Sequence, residues 1–166
     1  MTFTIESLGC AKNQVDSEEI IAHLERAGLE WVAEAELAEA VVVNTCGFIT
    51  SAKEESIRTA LELKSRFPGK KVLLAGCLVA RYGEELRRAL GELDGFVGLR
   101  DPVGLERLLK SGLGRPGRPA GGRRAGLPAS RHLLSFPGRA YLKIAEGCSN
   151  RCSYCAIPLI RGPLAS

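Results

Sequence analysis

Three cysteines close to the end of the chain carry the strongest chemical signal. They stand in Gly147-Cys148-Ser149-Asn150-Arg151-Cys152-Ser153-Tyr154-Cys155, with the spacing C-x-x-x-C-x-x-C. A loop this tight can wrap three thiolates around one compact inorganic centre. Full ligation of a cubane iron–sulfur cluster takes four cysteines, so three leave one iron open to a reactive ligand. The other three, Cys10, Cys46 and Cys77, are spread over the first half. Neither set of three can pair off as disulfides internally, but each can hold a cluster. Zinc is the alternative metal. A structural zinc site usually takes four protein ligands, and histidine or water would have to complete each set.

The elements that must position these thiols read as an alternation of strands and helices. Phe3 and Ile5 alternate with polar residues as a short strand leading to Leu8-Gly9-Cys10. Asp16-Ser17-Glu18-Glu19 resembles a helix start, Ile20, Ile21, Leu24 and Ala27 recur at helical spacing, and Gly28 is a stop. Residues 29–33, with Trp31 as a core residue, form a short strand. Val41-Val42-Val43-Asn44 is a strand buried on both faces and runs into Thr45-Cys46-Gly47. Ser51 to Glu54 reads as a capping box for a helix to about Arg66, stopped by Pro68-Gly69. Residues 71–75 are the next buried strand and run into Gly76-Cys77. A helix over 82–90, a strand over 94–97 and a helix from Asp101-Pro102 to about Lys110 complete the unit.

This order predicts a three-layer α/β domain with a mostly parallel sheet. Each spread cysteine follows the C-terminal end of a strand, where open α/β sheets form their ligand crevice. Each neighbours a glycine (Gly9, Gly47, Gly76), which permits close backbone approach. The helices that follow would point their N-termini at the same edge, which favours negative charge. Lys12 and Asn13 stand beside Cys10, with a solvated loop as the reading for Lys12. His23 and His132 receive no role.

The formal net charge of +4 is localised. Between Gly112 and Arg131 lie five arginines and no acid, and without those five the chain stands at −1. That stretch has little to bury and is expected to be a flexible basic linker with possible RNA or ribosome contact. Division into a first domain over 1–111, a linker over 112–133 and the start of a second domain over 134–166 follows. Ala140 to Ala145 reads as a strand feeding the three-cysteine loop. Only eleven residues follow Cys155, too few for a barrel, so the chain is expected to be an N-terminal piece of a larger enzyme, inactive alone. No apolar run reaches the roughly 20 residues of a membrane span. Met1 to Glu6 has no signal-peptide character, so a cytoplasmic setting is expected, and there thiols stay reduced.

With both cysteine sets placed, the chain resembles the methylthiotransferases of the radical S-adenosylmethionine superfamily along essentially its whole length. The matching residues are Gly9-Cys10 with Asn13 and Asp16-Ser17-Glu18, Asn44-Thr45-Cys46, Gly76-Cys77, and Gly147-Cys148 through Cys155. Leu8 to Asn13 and Ala156 to Pro163 resemble the RimO branch, which modifies a ribosomal protein, although Ala11 stands where proline is usual. The resemblance implies the N-terminal domain of that family, followed by the first strand and cluster loop of a radical enzyme barrel.

It also implies two [4Fe-4S] clusters. One, on Cys148, Cys152 and Cys155, would bind S-adenosyl-L-methionine, with Tyr154 near the adenine. One electron, from a flavodoxin or ferredoxin, would release a deoxyadenosyl radical that takes hydrogen from the β-carbon of an aspartate in ribosomal protein uS12. The second, on Cys10, Cys46 and Cys77, would deliver sulfur, and a second S-adenosylmethionine the methyl group. The rivals are a transfer-RNA methylthiotransferase of the MiaB branch and a zinc-stabilised or redox-sensing cysteine protein.

Overall fold

Val41-Val42-Val43 forms the middle of the sheet because β-branched side chains suit a pleated surface covered on both faces. The computed structural model describes residues 1–99, 101–111 and 132–166. Its elements in chain order are β1 (Thr2–Ser7), α1 (Ala11–Arg26), β2 (Glu30–Trp31), β3 (Ala40–Thr45), α2 (Thr50–Arg66), β4 (Lys71–Gly76), α3 (Cys77–Ala89), β5 (Gly95–Val97), α4 (Pro102–Lys110) and α5 (Ile157–Arg161). The five strands pair in the order β2-β1-β3-β4-β5, and every pairing is parallel. The expected α/β sheet is therefore present and wholly parallel.

Alternation along the strands divides the core between two faces. Ala40, Val42, Leu73 and Ala75 meet Ile21 and Leu24 of α1 and Leu105 and Leu109 of α4. Val41, Val43, Val72 and Leu74 meet Ala60 of α2 and Leu78, Val79 and Leu86 of α3. Helices on both faces make three layers, as the alternation of elements predicts. Asp94 locks one edge by accepting from the Val72 amide at 2.8 Å and from Lys64 Nζ at 2.7 Å. Asp101 caps α4 through the Gly104 amide at 2.8 Å, as read from Asp101-Pro102.

Three helix starts differ from the sequence reading. Helix α1 begins at Ala11 rather than near Asp16, because Gly9 turns the chain at φ +96° and Cys10 already stands at the N-cap. Asp16, Ser17 and Glu18 thus lie inside the helix, with Ser17 and Glu18 buried. Helix α2 starts at Thr50 behind Ile49 with no side-chain cap, so the capping box expected at Ser51 does not form. Helix α3 starts at Cys77 rather than at Tyr82, and Tyr82 is instead a kink within it (φ −128°, ψ 24°).

Residues 132–146 run along α1. The Leu134 amide donates to Glu18 Oε1 at 3.0 Å, and His132 Nε2 lies 2.9 Å from Glu25 Oε1, with its ring 5.0 Å from that of Trp31 and tilted 44° to it. The strand expected over 140–145 is absent, since no neighbouring strand pairs with it. Leu142 and Ile144 are 83% and 78% exposed, and the only pairing nearby is an antiparallel bridge between Glu146 and Ala165. A barrel is not seen among the described residues. Apart from His132 and Leu133, the expected linker lies outside the described residues. No helix among the described residues is long and apolar enough to cross a membrane.

Leu74 and Leu37 give a direct check of this core. Leu74 is fully buried between β4 and the α2–α3 layer, and Leu37 is 65% exposed. Leu74→Ala is expected to cost about 2–5 kcal/mol and Leu37→Ala within about 0.5 kcal/mol, read from urea midpoints.

Candidate metal centre

The strand order puts a switch point between β1 and β3, where chain connections leave in opposite directions. Cys10 follows β1 and Cys46 follows β3, so both stand at that point. Cys77 follows β4, the next strand. The three distant cysteines therefore lie on one edge of the sheet. Cys10 is exposed, while Cys46 and Cys77 are buried.

The glycines are required here by space. A β-carbon on Gly9 would lie 2.8 Å from Cys46 Cβ and 3.2 Å from its sulfur. One on Gly47 would lie 2.8 Å from the Cys77 carbonyl oxygen, and one on Gly76 (φ +96°) would collide with Asn44 and with the Thr45 carbonyl. Gly47 and Gly76 thus let backbone approach backbone, while Gly9 makes room for the Cys46 side chain.

Two asparagines tie those loops together. Asn13 Nδ2 donates to the carbonyls of Leu8 and Thr45, both at 2.9 Å, joining the ends of β1 and β3. Asn44 Nδ2 donates back to the Asn13 carbonyl and to Ser17 Oγ, both at 2.8 Å. Ser17 Oγ in turn donates to Ser7 Oγ at 2.9 Å. The Cys46 amide donates to Ser56 Oγ at 3.1 Å, and Arg81 Nη1 donates to the Gly47 carbonyl at 3.3 Å. This explains why a helix start could be misread at Asp16-Ser17-Glu18: those polar residues face inward.

The second set forms a loop closed at its base. Glu146 and Ala165 exchange two backbone bonds at 2.8 Å, and the Cys148 amide donates to the Gly162 carbonyl at 3.0 Å. Gly147 (φ +74°) lies so close to the Gly162 and Pro163 carbonyls that a side chain would not fit. Cys148 and Cys155 are half-buried, Cys152 is exposed, and Tyr154 is 90% exposed at the loop's tip.

Arg161, which composition and spacing did not single out, links Cys77 of the first set to Glu146 at the root of the second loop. It is 6% exposed. Nη1 donates to both oxygens of Glu146 at 3.0 Å, and Nη2 donates to Asn13 Oδ1 at 2.6 Å, Asp16 Oδ2 at 2.9 Å and Cys77 Sγ at 3.2 Å. Burial pushes the Cys77 thiol up, and the Arg161 charge and N–H bond pull it partly back. Burial also opposes the charge of Arg161, but Asp16 and Cys77 more than offset this and hold the guanidinium protonated. A charged residue closing the apolar run Ala156-Ile157-Pro158-Leu159-Ile160 was the only sequence trace of this role.

Thiolate is the donor type that iron–sulfur clusters take, and the sheet edge carries three thiols, Cys10, Cys46 and Cys77. Among the described residues no group of three or more His, Cys, Asp or Glu stands together so as to hold a metal ion. The N-termini of α1, α2 and α3, which follow these strands, have no side-chain cap and no acid in their first turn. Their amide dipoles favour the negative charge of such a cluster.

Residues 2–98 match the model of the family described as uncharacterized protein family UPF0004. The chain is 45% identical to ribosomal protein uS12 methylthiotransferase RimO of Pelotomaculum thermopropionicum over 172 residues, covering 96% of this chain and 37% of that protein. The same-named proteins of Syntrophomonas wolfei and Bdellovibrio bacteriovorus are 46% and 47% identical, again over 96% of this chain and over 38% and 36% of theirs. The chain thus spans little more than a third of the length of these curated relatives.

Asn13→Ala would leave the Leu8 and Thr45 carbonyls without their donor. It is expected to cost on the order of 2–5 kcal/mol in urea unfolding, whereas exposed Glu55→Ala should stay within about 0.5 kcal/mol. Equal costs would contradict the role of Asn13 as a tie between strand ends.

Proposed function

We propose that this chain, which belongs to the uncharacterized protein family UPF0004, is part of a methylthiotransferase of the RimO branch, and that the whole protein adds a methylthio group to the β-carbon of an aspartate in ribosomal protein uS12. The observation that carries this reading is the arrangement of two sets of three thiols, one on a sheet edge and one in a loop anchored to that edge. In this reading Cys10, Cys46 and Cys77 hold one [4Fe-4S] cluster, and Cys148, Cys152 and Cys155 hold another together with S-adenosyl-L-methionine. When bound, these groups supply the one-electron and sulfur-transfer chemistry, with electrons from a flavodoxin- or ferredoxin-type donor.

The protein's own contribution is position. Asn13 and Asn44 fix the strand-end loops that present Cys10 and Cys46, and Cys77 is held as the first residue of α3. The glycines let those loops approach, and the uncapped helix ends favour negative charge there. Burial of Cys46 and Cys77 keeps solvent from two of the three sulfurs. Tyr154, exposed at the tip of the second loop, is available to stack on the adenine. The relatives, named as ribosomal protein uS12 methylthiotransferases, favour uS12 over transfer RNA as substrate.

Anaerobic reconstitution of the full-length protein is expected to give about eight irons and matching sulfide per chain, and about four after Cys46→Ala. Stoichiometric zinc without sulfide would instead support the zinc rival. In a strain lacking the gene, uS12 is expected to lose the mass of one methylthio group. An unchanged uS12 together with loss of the methylthio adenosine from transfer RNA would shift the assignment to the MiaB branch.

A further inference from the structure

Arg161 is buried although it belongs to a five-residue helix and comes 84 residues after the sulfur it touches. Its guanidinium spans Glu146, Asn13, Asp16 and Cys77 at once. Two of these are anionic, and Lys143 adds a second cation to both: its Nζ lies 2.7 Å from Asp16 and 3.6 Å from Glu146. Glu146 is the residue that enters the three-cysteine loop, and Arg161 is on the strand of chain that leaves it. Both roots of the loop are therefore pinned to α1 by one side chain. A lysine could not do this, since it presents one point charge where arginine presents a fork.

We propose that Arg161 is the positioning residue that couples the two cysteine sets. It holds the Cys148–Cys155 loop at a fixed place on α1 and donates an N–H to the sulfur of Cys77. The second part rests on the reading of Cys10, Cys46 and Cys77 as cluster ligands. Hydrogen bonds to a ligating sulfur raise the reduction potential of a cluster, because they stabilise the added negative charge.

Two measurements on the full-length protein test this. In the metal-free protein, hydrogen exchange of the amides over 146–149 and 162–165 is expected to speed up roughly tenfold in Arg161→Gln, while β3 and β4 amides stay unchanged. Asp16→Asn is expected to speed the same amides, and the double variant to be no faster than Arg161→Gln alone, because the two residues form one contact. Unchanged loop exchange in Arg161→Gln, or additive effects, would overturn the coupling role.

The second measurement uses a protein with Cys148, Cys152 and Cys155 replaced by alanine, reconstituted so that iron sits on the first set alone. Arg161→Gln is expected to move its midpoint potential to more negative values, and Arg161→Lys to move it less. A potential unmoved by Arg161→Gln would reduce Arg161 to an ion-pair partner and overturn its action on Cys77. If this parent took up no iron, the cluster reading and the action on Cys77 that rests on it would fail, and loop exchange alone would judge the hold of Arg161 on the loop.

Discussion

Asn13 is the constraint on which the site depends. Its side-chain amide bonds the carbonyls at the ends of β1 and β3 together, and its own carbonyl is held by Asn44. These are buried groups whose loss leaves unpaired polar atoms away from water, which is costly in a way that an exposed contact is not. The tie lies at the point where the sheet reverses its order of strands. Without it, the two loops would keep the bonds of Asn44 and the packing of Gly9 on Cys46 but lose the side-chain bridge between the Leu8 and Thr45 carbonyls.

From that tie the rest of the edge follows. Gly76 leads β4 directly into α3, so that Cys77 is a helix residue rather than a loop residue and is correspondingly rigid. Ser56 and Arg81, from the two helices of the opposite layer, bond the backbone around Cys46 and Gly47. The result is an edge whose thiols are set by both layers of helices as well as by the sheet. Ligands held this way need little reorganisation when a group binds, which is the useful property of a site built on rigid elements.

Residues 132–166 are organised differently. Residues 132–146 have no sheet of their own and take their place from α1, through Leu134, Lys143 and His132. Their exposed apolar side chains, Leu142 and Ile144, contrast with the buried charges of Glu146 and Arg161. Buried charge thus helps to anchor the second cysteine loop, beside the buried apolar side chain of Ile160. Buried ion pairs are poor sources of net stability but fix geometry, because only one arrangement leaves no charge unpaired.

The sequence by itself determined the architecture. Apolar strand runs, helical periodicity and glycine stops are local signals, and they specified a three-layer α/β domain with each of three cysteines at a strand end. It also marked the three-cysteine loop, since that spacing is local. The exact helix starts were not legible, because Asp16-Ser17-Glu18 and Ser51 to Glu54 look like caps to a reader who cannot see that Ser17 and Glu18 are buried within α1. The strand over 140–145 was misread because an alternating pattern says nothing about whether a pairing partner exists. The partnership of Arg161 with Cys77, Asp16 and Glu146 was decided by tertiary structure alone. Cys77 and Asp16 stand 84 and 145 positions from Arg161, and no periodicity or spacing encodes a contact at such separations.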